Sequence, residues 1–175
     1  MNIQLQLMNV QLLFGVSVLF SLIASSVFSA LHVWPELKHK SRRDALRPLL
    51  VLHGFRFIGL SFLVPGVVSP DLPMTFARAA AYGDFIAAAL ALLALARLRS
   101  RLGIVLSWVF NVWGMFDLLN AFLQANASGL QPGQFGAAFF IPTVIVPFLL
   151  VTHVMIFRIL MRSEGIGTTQ TKTGA

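Results

Sequence analysis

The sequence predicts an all-α, polytopic transmembrane helix bundle with five spans, and three observations carry that prediction. The 175 residues are 57% hydrophobic and only 11% charged, with a mean hydropathy of +0.82, far from the near-even mix of a water-soluble domain. The 13 Lys and Arg and the 6 Asp and Glu are too few and too clustered to give an apolar core a polar exterior, so lipid must be the outer solvent. The apolar residues also fall into five stretches, each near the roughly 20 residues that a helix rising 1.5 Å per residue needs to cross a bilayer.

The spans are expected at about 10–34, 45–68, 75–97, 103–125 and 138–161. "PELKHKSRRD", "SPDLP", "RLRSRLG" and "NASGLQPGQFG" separate them with turn and charge signals. Connections this short make neighbouring helices antiparallel. Residues 1–162 are read as one transmembrane domain, and 163–175 as a polar cytoplasmic tail without apolar residues enough to pack.

The first span repeats serine every fourth residue, at Ser17, Ser21, Ser25 and Ser29, with His32 following. Small residues at that spacing let another helix approach closely. "SSVFSA" offers small residues of the kind found at a signal-peptide cleavage site, but no Lys or Arg precedes Lys38, so the positive leader segment is missing.

The second span contains "LHGFRFIGLSFLVPG", which keeps His53 and Arg56 inside an apolar run. On α-helical spacing His53, Arg56 and Leu60 share one face. An arginine near mid-membrane costs about 2.5–3.5 kcal/mol on insertion scales, so Arg56 must face protein. In the third span Ala77, Ala80, Ala81, Ala87, Ala88 and Ala91 form a small-residue face that also carries Asp84. In the fourth, Trp113, Asp117, Asn120 and Gln124 share a face, and Asn111 joins the candidate set. The fifth holds His153, and its Pro142 and Pro147 interrupt the backbone ladder, which frees carbonyls within the membrane. Gly54, Gly59, Gly83 and Gly114 would permit close approaches elsewhere.

Net charge is +7. Nucleic acid is not the implied partner, because the basic residues lie at the ends of apolar runs and not on one soluble face. Lys38, Lys40, Arg42 and Arg43, then Arg97, Arg99 and Arg101, then Arg158 and Arg162 all fall on one side of a five-span chain. The positive-inside rule therefore expects the N-terminus outside and the C-terminus in the cytoplasm of a cell inner membrane.

Arg56, Asp84 and Asp117 lie at similar depth, so the arginine is read as the counter-charge of buried aspartates. Arg78, near its helix start, can reach out toward Asp71. One deep arginine then faces two deep aspartates, and one carboxylate lacks a full partner. That imbalance points to proton exchange, or to binding or passing a small polar or cationic solute, at Arg56, Asp84, Asp117, Asn111, Trp113 and Asn120. A static ion network that fixes helix register is the plainer alternative.

His53 and His153 match in depth on different helices, which is the minimal arrangement for bis-histidine haem b in a subunit of an electron-transfer complex. A structural subunit and a membrane-embedded lipid-modifying enzyme are further readings. No nucleophile elbow, zinc-protease helix, phosphate loop or dinucleotide fingerprint is present. The absence of cysteine excludes disulfides, thiolate metal sites and iron–sulfur clusters. Five helices enclose little polar wall, so a homodimer or larger membrane complex is expected, with the serine repeat and the alanine face as contacts.

Overall fold

The computed structural model describes residues 3–162, and the polar tail predicted at 163–175 lies outside them. Among the described residues every regular element is helical. Five helices are long and apolar enough to cross a membrane: Asn9–Lys38, Arg42–Leu63, Met74–Ala96, Arg101–Ala127 and Ile141–Leu160.

In chain order the α-helices are α1 (Ile3–Phe28), α2 (Trp34–Lys38), α3 (Arg42–Gly54), α4 (Met74–Ala96), α5 (Arg101–Ala127) and α6 (Val146–Leu160). A π-turn at Ser29–Val33 joins α1 to α2, and a second at Ile141–Ile145 leads into α6. Each stands just before a proline in the first turn of the next helix, Pro35 in α2 and Pro147 in α6. Proline lacks the N–H that an α-turn requires, and the widened turn carries the chain past the gap. The carbonyls expected to be free in the fifth span are thus partly reclaimed: Val146 N–H bonds Ile141 O, and the Thr143 hydroxyl donates to Phe139 O at 2.7 Å.

α3 starts at Ser41, whose hydroxyl oxygen accepts from Asp44 N at 3.2 Å. It then tightens at Phe55 into a 3-10 helix over Phe55–Leu63. This changes the register expected for the second span. In a three-residue repeat Arg56, Gly59 and Phe62 become the buried face, whereas Leu60 is only half-buried. The span also ends earlier than expected, at Leu63 and not near 68, because Pro65 cannot donate and Gly66 takes φ +83°.

The connections 64–73 and 128–140 are tied together at one end of the bundle. Ala137 N–H donates to Val67 O at 2.7 Å, Ser69 N–H to Gln134 O at 3.0 Å, and the Gln134 amide to Asp71 O at 2.8 Å. The opposite end carries the basic groups. There Trp34 lies under the guanidinium groups of Arg158 and Arg162, at 5.5 Å and 4.9 Å from its ring centre. Arg42 also donates to the Arg162 carbonyl, and Arg162 to Leu37 O at 3.2 Å.

Two apolar cores fill the bundle. One, toward the basic end, gathers Leu46, Leu50, Ala91, Phe110, Ile156 and Ile159. The other, toward the 64–73 end, gathers Phe62, Phe76, Leu118, Phe135, Ile141 and Leu149. Outside the bundle large apolar side chains stay exposed, among them Phe20 at 66%, Phe116 at 64% and Leu123 at 69%, an exterior suited to lipid and not to water.

The alanine face is spent within the chain, the serine stripe only in part. Ala77, Ala80, Ala81, Ala87, Ala88 and Ala91 are buried, and α4 packs against α5, α3 and the 3-10 run. Ser29 is buried and Ser17, Ser21 and Ser25 are half-buried, with the Ser21 hydroxyl donating to Val144 O at 3.3 Å. The alanine face is therefore not free for contact between copies.

Candidate functional site

A polar layer separates the two apolar cores, and its centre is Arg56, which is 1% exposed. The 3-10 run aims this side chain between α4 and α5. All three guanidinium nitrogens are engaged. Nε donates to Asp84 Oδ1 at 2.8 Å, and Nη2 lies 2.7 Å from the same oxygen. Nη2 also donates to Asp117 Oδ2 at 2.8 Å, while Nη1 donates to Gly114 O at 3.2 Å and meets His153 Nε2 at 3.2 Å.

Glycines make room for these groups. A side chain at Gly59 would collide with the Asp84 carboxylate, and one at Gly83 with that of Asp117. A Cβ at Gly114 would stand 2.6 Å from His153 Cε1 and 2.7 Å from Arg56 Nη1. Close approach is therefore required where the sequence offered it.

Asn111 orients His153 at two points. Its amide oxygen accepts from Nδ1 at 2.7 Å, and its amide nitrogen donates to His153 O at 3.3 Å. With the proton on Nδ1, Nε2 offers a lone pair to Arg56 Nη1, so donor meets acceptor at every step. Behind this, His53 Nε2 lies 3.0 Å from the Thr152 hydroxyl oxygen, which itself donates to the Phe148 and Leu149 carbonyls. The hydroxyl therefore accepts from His53.

Asp84 and Asp117 line a cavity of about 350 Å³ on the side of the polar layer where Phe62, Phe76 and Phe135 lie. Phe14, Phe62, Phe76 and Phe135 supply its aromatic wall, and Gln11 and Asn126 are exposed residues of its lining. Along α5 the wall follows Asp117, Ala121, Ala125 and Asn126. A volume of this order lies within the usual range for small-molecule pockets.

A family model for a domain of unknown function, DUF8737, matches residues 13–161. The chain belongs to that family. The matched stretch holds Arg56, Asp84, Asn111, Asp117 and His153. No curated protein and no solved structure matches the chain.

Within this DUF8737 chain two residues singled out in the sequence stand apart from the Arg56 cluster. Asn120 is half-buried, lines no part of the cavity and makes no side-chain hydrogen bond among the described residues, because the cavity follows the Asp117–Ala121 face. Arg78 is exposed, as its place near a helix start implied, and among the described residues it makes no ion pair with Asp71. Trp113 lies outside the cavity, 39% exposed, with its indole N–H directed at Gly83 O at 3.5 Å. It braces α5 against α4 beside Asp117.

The haem reading also fails on geometry. The His53 and His153 rings are in direct contact, with centres 4.2 Å apart, so no macrocycle can enter between them. Both nitrogens of His153 are already committed, to Asn111 and to Arg56. Among the described residues no group of three or more His, Asp or Glu could hold a metal ion.

Sequence reasoning missed Thr152 and the phenylalanine wall. Thr152 had a signal in its place next to His153. Phe135 had none, since it lies in a Gly- and Pro-rich segment that reads as a loop.

Proposed function

We propose that this chain is an inner-membrane protein that binds a small solute from the extracytoplasmic side, in the cavity that Asp84 and Asp117 line. Solute or proton is exchanged at those two carboxylates. The N-terminus is outside and the C-terminus cytoplasmic, so the basic end faces the cytoplasm. The observation that carries the reading is that a cavity of about 350 Å³ is lined by two carboxylates on helices long and apolar enough to cross a membrane. Ionisable groups at such depth are costly and mark solute or ion sites.

The polar chain continues from Arg56 through His153 to Asn111, with His53 and Thr152 behind it. The apolar core around Leu50, Phe110 and Ile156 closes the route toward the basic end. Passage would require the second span to move, and its nine-residue 3-10 run is the natural hinge.

A purely architectural role draws on a different observation, the engagement of all three Arg56 nitrogens. It leaves the cavity without a purpose.

The chain has no cysteine, so a single introduced thiol reports directly. Ala121→Cys on the cavity wall should react with a membrane-impermeant maleimide applied from outside, whereas Ala91→Cys in the basic-end core should not. An Ala121 thiol that resists the reagent would remove the extracytoplasmic binding reading.

A further inference from the structure

The cavity meets only one sign of charge. Asp84 and Asp117 line it, whereas Arg56 stands behind them and is not part of its wall. Each carboxylate commits one oxygen to the guanidinium, Oδ1 of Asp84 and Oδ2 of Asp117. Among the described residues no other basic side chain makes an ion pair with either. One cation against two carboxylates leaves the trio one positive charge short, and in a low-dielectric setting that deficit is met by a proton or a bound cation.

The walls specify the rest of the occupant. Phe62, Phe76 and Phe135 pack against one another with ring centres 6.0–6.2 Å apart, and Phe14 stacks on Phe135 at 5.9 Å. Aromatic walls favour an apolar body and attract a cation over their faces. From Asp117 to Asn126 along α5 the helical rise gives the cavity a length of about 13 Å.

We propose that the occupant is an amphiphilic monocation, an ammonium group on an aryl or short alkyl body, with its N–H donors on Asp84 and Asp117 and its apolar part among the phenylalanines. This rests on the cavity being a solute site, as argued above. A carboxylate keeps acceptor capacity on the oxygen it does not give to arginine, and an ammonium fills that capacity while restoring the charge balance. A neutral isostere does only the first, and an anion does neither.

The test uses three probes with one aromatic body: 2-phenylethylammonium, 2-phenylethanol and phenylacetate. Each is titrated calorimetrically into the full chain in mild detergent at neutral pH. The ammonium should bind at least about tenfold more tightly than the alcohol, because its donor is itself charged and restores the charge balance, and phenylacetate should give no heat. In Asp117→Asn the ammonium's advantage should fall while the alcohol's affinity stays. Alcohol binding as tight as ammonium, phenylacetate binding, or no heat from any probe would overturn the cationic class. Protection of an Ala121→Cys thiol separates the two layers. If the alcohol or the acid slows its labelling and the ammonium does not, the solute site stands and the charge assignment falls. If the thiol never labels, the solute site itself falls and takes the charge class with it.

Discussion

Asp84 holds Arg56 through two nitrogens, Nε at 2.8 Å and Nη2 at 2.7 Å, both on Oδ1. Asp117 holds Nη2 alone. The Asp84 side chain is also the less exposed, at 9% against 14%. One cation is therefore shared unequally, with Asp84 the anchoring partner and Asp117 the more exposed one. That inequality makes the roles of the two carboxylates separable by substitution.

Arg56→Ala should lower the thermal unfolding midpoint most among single changes, because removing one side of a buried ion pair commonly costs about 3–5 kcal/mol. Asp117→Asn removes the surplus negative charge and keeps the side-chain shape, so its midpoint should stay near that of the parent. Asp84→Asn gives up two close contacts and should fall between these. The double Asn variant leaves Arg56 buried with no carboxylate, and its loss should exceed the sum of the singles, as expected for coupled neighbours. Equal effects of the two single changes, or an additive double, would contradict unequal sharing.

Much of this centre was legible in the sequence because a lone arginine in an apolar span has few ways to be tolerated, and depth can be counted from span ends. Those two constraints are enough to bring Arg56, Asp84 and Asp117 together. The buried face of the second span was not legible. Nothing in the spacing of "FRFIGLSFL" signals a three-residue repeat, yet the run tightens to 3-10 where Gly59 closes on Asp84, and the buried face moves from Leu60 to Gly59. Asn120 was misplaced because helical spacing on one helix cannot say which of two adjacent faces its neighbours leave open. The cavity was hidden for the same reason: its wall comes from several distant segments, including Phe14 and Phe135.

The proposed orientation rests on where the arginines and lysines gather, and two thiols test it. Ser128→Cys, at the end of α5, should react with an impermeant reagent in intact cells. Ser100→Cys, between α4 and α5, should react only after the membrane is opened. The warrant is the retention of Lys and Arg on the cytoplasmic face. Reaction of residue 100 from outside would invert the bundle and put the cavity on the cytoplasmic side.

Gly114 and Gly15 make an opposed pair for testing the polar layer. A methyl group at Gly114 would stand within 2.6–2.8 Å of His153 and Arg56, and neither can retreat freely. His153 is pinned by Asn111 through Nδ1 at 2.7 Å, and Arg56 is pinned by two carboxylates. Gly114→Ala should therefore destabilise the protein by about 1–3 kcal/mol, the usual cost of overpacking a tight interior. Gly15 lies on the exposed side of α1, and a methyl group there would meet nothing within 4 Å. The gain in helix propensity, up to about 1 kcal/mol, is then unopposed, so Gly15→Ala should leave the unfolding midpoint unchanged or raised. Thermal melts of both variants in the same detergent decide the matter. If Gly114→Ala melts like the parent, the guanidinium and the imidazole are not held where the geometry puts them.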